Sequence, residues 1–258
     1  MVKPKKHLGQ HFLTDPSIAG RIVDGLHVPS GDTVLEIGPG TGVLTAILLE
    51  KDIRLLPVEI DPESVAFLKQ KWPVLENRII EEDFLKMDID VHIHGNFHVI
   101  GNFPYNISSQ IFFRVLDYRQ QVPTVVCMIQ KEVANRIASP PGSKEYGILS
   151  VLLQAYYKID NLFTVKPGSF FPPPKVTSGV IRLTRNDIRS LPCNEKLFFK
   201  VVKTTFNQRR KMIRNSIKSI LLNLDSENEL LSKRPEQLGV SEFIELTNWL
   251  ESQQTAEL

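Results

Sequence analysis

Cysteine is scarce: Cys127 and Cys193 are the only two among 258 residues, and they fall in unrelated contexts, an apolar run and a polar linker. That excludes a disulfide framework and suits a reducing compartment. Long apolar runs are missing as well. None approaches the roughly 20 residues a helical membrane span needs, and no charged-then-apolar leader opens the sequence; a cytoplasmic protein is expected, an organelle matrix after loss of a transit peptide being the other reading. Charge of one sign is nearly absent in sum, the formal net charge being +2. The balance is local rather than uniform. Lys196, Lys200, Lys203, Arg209, Arg210, Lys211, Arg214 and Lys218 crowd one stretch against the single acid Glu195, and Lys3, Lys5 and Lys6 open the chain. Clusters of this kind, more than totals, bind phosphates.

The hydrophobic share of 42% is enough for one large core and a small one. Apolar runs at 33–37, 53–60, 78–80, 97–101 and 124–129 read as buried strands. Between them, 17–26, 43–51, 62–71, 108–116, 131–138 and 148–157 carry helical spacing, with Asn106 or Ser108 as the expected cap of the fourth. Strand–helix alternation of this kind predicts an α/β fold with a mostly parallel sheet covered on both faces. Two further β runs, 159–165 and 178–183, flank a proline-rich loop and predict an antiparallel pair at one edge. Beyond residue 186 only helical patterns follow, at 195–205, 209–222 and 241–251. The expected division is therefore 1–186 and 187–258.

V-L-E-I-G-P-G-T-G at 34–42 is a glycine-rich turn between a strand and a helix, where backbone approaches a ligand closely. It has no lysine for a phosphate cradle and departs from the dinucleotide fingerprint. Glu59 closes the next strand, where a carboxylate accepts hydrogen bonds from both ribose hydroxyls of an adenosine-containing cofactor. Asp83 ends the third strand, either near an adenine amine or as a solvated acid. Glu36 precedes the turn, either orienting its amides or serving as an ordinary strand-end acid.

G-N-F-P-Y-N-I-S-S at 101–109 points to the reaction. Pro104 fixes its own φ and keeps Phe103 extended. The Asn102 side-chain oxygen and the Phe103 carbonyl then aim at one point, beside the face of Tyr105. Two carbonyl acceptors suit the hydrogens of an aromatic amine such as that of adenine, whose delocalised lone pair is a poor nucleophile until the nitrogen is made pyramidal. Tyr105 would stack a base taken out of its helix.

The segments 5–13, 35–42, 58–61, 82–85, 101–109, 130–137, 170–178 and 206–216 together resemble the ribosomal RNA adenine dimethyltransferases, and within them the small-subunit (16S, KsgA-type) branch. The resemblance implies a Rossmann-like S-adenosylmethionine-dependent methyltransferase domain with a small all-helical C-terminal domain. It implies S-adenosyl-L-methionine as cofactor, no metal, and dimethylation of two adjacent adenosines near the 3′ end of small-subunit ribosomal RNA within an assembling particle, by a monomer. It places Gln10, His11, Leu13, Gly38, Glu59, Asp83 and Asn102 at the cofactor, with Glu36, Gly40, Ile60 and Phe84 in the same motifs. Tyr105 and Phe170 would sandwich the target base. His11 stands where the family often has Asn, and Phe103 where Leu is common.

In the basic C-terminal stretch, R-R-K at 209–211 is the expected phosphate contact, the other reading being a solvated helix face. Lys5 and Lys6 either face RNA or belong to a frayed terminus, and Phe206 is either core or contact. His92, His94 and His98 are read as surface residues rather than metal ligands. Three other readings compete: a large-subunit RNA methylase of the same fold, a glutamine-modifying protein methyltransferase, and an RNA-binding assembly factor without activity.

Overall fold

The computed structural model describes residues 2–220 and 228–256. Contacts divide the chain into two compact units, one of residues 1–134 and 158–185, the other of 135–157 and 186–258. The expected boundary at 186 is thus one of three places where the chain passes between units, and residues 135–157 group with the helical unit.

The first unit is built on a six-stranded sheet. Its strands are β2 (Thr33–Ile37), β3 (Arg54–Val58), β4 (Phe97–Asn102), β5 (Thr124–Gln130), β6 (Tyr157–Val165) and β8 (Ser178–Arg185), in the order β3-β2-β4-β5-β8-β6. The first four run parallel, and β8 pairs antiparallel with β5. The central strands are apolar along their length because both faces are covered. Val34, Val99, Val125 and Val126 are fully buried. The expected strand at 78–80 is reduced to one parallel bridge, Val58 to Ile80, at the open edge of β3.

A separate two-stranded ribbon joins β1 (Phe12–Leu13) to β7 (Phe170–Phe171) with Phe12 opposite Phe171 and Leu13 opposite Phe170. β1 leads directly into α1 (Pro16–Asp24), whose cap Asp15 accepts from the N–H groups of Ser17 and Ile18, with Pro16 at the first helical position. α2 (Val43–Leu48) and α3 (Pro62–Lys71) follow β2 and β3; α3 starts on Asp61 with Pro62 at its first position. Beyond the short α4 (Ile89–His92), α5 (Ser108–Asp117) is capped by neither Asn106 nor Ser108. Its N-cap is Ile107, and the Ser108 hydroxyl turns back to the Tyr105 carbonyl at 3.2 Å. α6 (Lys131–Ala138) continues β5 without a break. Leu13, Ile22, Val34, Val126, Met128, Phe170 and Val180 share one core cluster.

In the second unit, α7 (Ile148–Gln154), α8 (Glu195–Asn207) and α10 (Val240–Ala256) pack together. Tyr146, Phe206 and Phe243 form an aromatic row with ring centroids 6.1 and 5.9 Å apart, which makes Phe206 a core residue. The helix expected over 209–222 is not continuous. A turn at 208–211 precedes α9 (Ile213–Ser216) and a 3-10 turn at 217–219, and residues 221–222 lie outside the described ones. Among the described residues no helix is long and apolar enough to cross a membrane.

Candidate active site

A cavity of about 230 Å³ opens at the C-terminal ends of β2, β3 and β4, where open α/β sheets bind ligands. Each strand delivers a different group there. β2 ends in the turn at Gly38 and Gly40, β3 in Glu59 and Ile60, and β4 in Asn102, followed by Phe103, Pro104 and Tyr105; all of these line the cavity, as do Asp83 and Phe84. Gly38 and Gly40 have φ of 66° and 56°, left-handed backbone that any other L-residue resists.

The remaining wall is the N-terminal segment, with Gln10 and His11 on the lining and Phe12 beside them. It is tied down along its length. Asp61, whose side chain is fully buried, accepts from the Lys5 ammonium, from Gln10 Nε2 at 3.1 Å and from the Ser64 hydroxyl at 3.2 Å. Burial alone would raise the Asp61 carboxyl, but the hydrogen bonds from Lys5 and Gln10 hold it below its usual range. Lys5 is therefore not a frayed end, while Lys6 is exposed. Further along, a side chain at Gly9 would meet Asn106 Oδ1 at 2.5 Å, and one at Gly40 would meet the Phe12 ring at 2.8 Å.

His11 joins this wall to β4 and to the loop after β7. Its carbonyl accepts Asn102 Nδ2 at 2.8 Å, its Nδ1 donates to the Pro172 carbonyl at 2.7 Å, and its ring stacks on Tyr105 with centroids 5.7 Å apart. With Nδ2 engaged, Asn102 keeps its side-chain oxygen as an acceptor. The Phe103 N–H donates to Met128 O at 3.0 Å, and its ring is buried edge-on to Phe112. The Tyr105 hydroxyl meets Ser178 Oγ at 2.6 Å, and burial raises its pKa.

Glu59 is 5% exposed; its two oxygens accept the N–H groups of Gly40 at 3.0 Å and Asp61 at 2.9 Å. Burial raises its carboxyl, and these N–H groups pull the other way. A carboxylate has about four acceptor sites, so capacity remains for a hydroxyl donor.

Three expected site residues do not line the cavity. Leu13 and Phe170 are each 4% exposed in the core cluster. They oppose one another in the β1–β7 ribbon, and the pleat that turns both inward leaves Phe12 and Phe171 on the other face. Glu36 is sealed beneath the turn, where Thr45 Oγ1 donates to its Oε2 at 2.8 Å and Oε1 meets no partner among the described residues. Burial pushes its pKa up to about 8. Asp61 and Phe12 also belong to this wall, and no motif in the sequence singles them out. The V-E-I-D-P order marks Asp61 as a helix cap, but nothing local announces its partner Lys5.

Of the three histidines, His98 is buried and pairs with Asp32 at 3.1 Å, so it is not a surface residue; His92 meets Glu82 at 2.9 Å and His94 is exposed. In the second unit, Arg209 Nη2 donates to Ser143 O at 3.1 Å, whereas Arg210, Lys211, Arg214 and Lys218 are exposed.

Known proteins resemble the chain over nearly its full length. The chain is 57% identical over 258 residues to Ribosomal RNA small subunit methyltransferase A of Phocaeicola vulgatus, covering 98% of this chain and 91% of that one. It is 58% identical over 255 residues to the protein of the same name from Bacteroides thetaiotaomicron, covering 97% and 95%. A dimethyladenosine transferase from Plasmodium falciparum shares the fold with a TM-score of 0.77 at 24% identity, over 95% of this chain and 98% of that one. The 23S rRNA methyltransferase ErmE shares it with a TM-score of 0.65 at 24% identity, over 92% and 99%. The sheet is thus the Rossmann-like sheet of methyltransferases. A family profile described as Ribosomal RNA adenine dimethylase matches residues 1–248, from the segment that walls the cavity into the last helix, and the chain belongs to that family.

Proposed function

We propose that this protein transfers methyl groups from S-adenosyl-L-methionine to the exocyclic amines of two adjacent adenosines near the 3′ end of small-subunit (16S) ribosomal RNA, giving N6,N6-dimethyladenosine during maturation of the particle. The observation that carries the reading is the Asn102 amide. Its nitrogen is committed to the His11 carbonyl, so its oxygen is left to accept from a substrate N–H.

The cavity fits the methyl donor. Glu59 stands where a carboxylate accepts from ribose hydroxyls, Ile60 is 51% exposed and offers an apolar face for adenine, and Asp83 stands near with acceptor oxygens. The left-handed turn at Gly38 leaves open space where a side chain would stand. Gln10, His11 and Phe84 complete the wall. When bound, the cofactor supplies an electrophilic methyl group.

The chain's own residues supply position and electrostatics. Asn102 Oδ1 and the Phe103 carbonyl accept the two amine hydrogens and favour a pyramidal nitrogen. Tyr105 holds the ring plane, and its hydroxyl is fixed by Ser178. The methylated nitrogen is acidic and releases its proton to water, so no side-chain base is assigned. Arg210, Lys211 and Arg214 offer exposed charge for RNA phosphates. The reading carries with it a cytoplasmic location, where ribosomal RNA of a bacterial type is processed, and a monomeric state as the resemblance implies.

Incubation with labelled S-adenosylmethionine and unmethylated small or large subunits in parallel, followed by mapping, tests this. Label is expected in two neighbouring adenosines of the small subunit. Label confined to the large subunit, or to protein, overturns the assignment.

A further inference from the structure

We propose that Phe171 is a stacking platform for the nucleobase that flanks the one held in the cavity. The inference rests on the RNA reading above and adds a second base subsite to it. Residues directly opposite in an antiparallel pair share a face. Phe171 pairs with Phe12, and Phe12 lines the cavity, so Phe171 stands on the cavity side of the ribbon. The next residue, Pro172, holds the His11 ring through its carbonyl at 2.7 Å, and that ring lies on Tyr105. Phe171 is thus joined to the target-base position by two contacts, yet lies outside the cavity lining.

It is also open, at 58% exposure, while its strand neighbour Phe170 is 4% exposed. The pairing requires nothing apolar at a solvent-facing position, so fold stability does not account for a phenylalanine there. Lys166 and Lys175 are exposed on either side along the chain, and Val176 is 43% exposed. An exposed aromatic with exposed lysines nearby along the chain is a composition suited to single-stranded nucleic acid, rings on bases and charges on phosphates. A base lifted into the cavity loses its stacking partner, and the neighbouring base loses one too. Phe171 offers that neighbour a replacement.

The test compares wild type with Phe171→Ala, Phe171→Leu and Phe171→Trp on unmethylated small subunits, measuring kcat, KM for the subunit, and the Kd of S-adenosylmethionine alone. Loss of one base–aromatic stack corresponds to about a ten-fold rise in KM. That rise is expected for both Ala and Leu, with cofactor Kd unchanged, and Trp is expected to restore wild-type KM. Leu behaving as wild type, or Ala leaving KM unchanged, overturns the subsite while leaving the methyltransferase reading intact. A wild-type protein that methylates no subunit RNA overturns the reading beneath it.

Discussion

The carbonyl oxygen of His11 accepts the side-chain nitrogen of Asn102 at 2.8 Å. This bond fixes which end of the amide faces the cavity. A residue from the N-terminal wall thereby sets the polarity of a group at the end of β4, 91 residues away.

Asn102→Asp is a sharper variant than Asn102→Ala. A carboxylate retains oxygen toward the substrate but turns its second oxygen on the His11 carbonyl, two acceptors without a proton. Both variants are expected to lose about 10²-fold or more in single-turnover methyl transfer, with cofactor affinity affected far less. Near-normal turnover in Asn102→Asp would remove the His11 bond from the mechanism.

Lys5→Met removes the cation from the buried carboxylate of Asp61 while keeping the length of the side chain. Gln10 remains, so the N-terminal wall loosens rather than leaves. Faster hydrogen exchange at residues 9–13 and several-fold weaker cofactor binding are expected. Because Asp61 is held below its ordinary value of 3.8, its contribution is present above that pH and lost as pH falls through the depressed folded value. The difference between Lys5→Met and wild type should therefore be full at neutral pH and vanish in strong acid.

Gly40→Ala and Gly38→Ala separate backbone strain from steric contact. Both positions have positive φ, costing an alanine about 1 kcal/mol. Only at Gly40 does the new Cβ also meet a ring, that of Phe12 at 2.8 Å, while Gly38 has open space. Gly40→Ala should lower the thermal midpoint more. It should also weaken cofactor binding by moving the N–H that Glu59 accepts. Equal midpoints in the two variants would contradict the contact.

Glu36→Gln tests the sealed carboxyl. Its pKa rises from 4.5 to about 8 on folding, so the folded state binds the proton more tightly than the unfolded chain. Stability from this group is then full below about 4.5 and falls as pH rises toward about 8. Glutamine mimics the neutral form. The thermal midpoint of wild type should fall relative to Glu36→Gln between about pH 5 and pH 8. Parallel curves over that range would show that ionisation of Glu36 carries no cost.

Much of the frame was legible in the residues. β2 and the helices at 62–71 and 131–138 stand where their apolar spacing, Pro62 and the glycine turn put them. The basic stretch misled in one place. The pattern predicts a helix over 209–222, but Arg209 turns to Ser143 O and Glu236 instead, partners a periodic pattern cannot reveal. Likewise Asn106 and Ser108 have cap chemistry without cap geometry, because the Tyr105 carbonyl claims the Ser108 hydroxyl.

By itself, the sequence determined the strand–helix alternation and the groups placed at strand ends, Gly38, Glu59 and Asn102, since these depend on neighbours within a turn or a strand. Tertiary structure alone decided which aromatic of Phe170 and Phe171 is buried, that Lys5 serves Asp61, and that His11 orients Asn102. A two-residue strand has no periodicity to read. The partners of Lys5 and His11 lie 56 to 161 residues away, where only the folded chain brings them within hydrogen-bond reach.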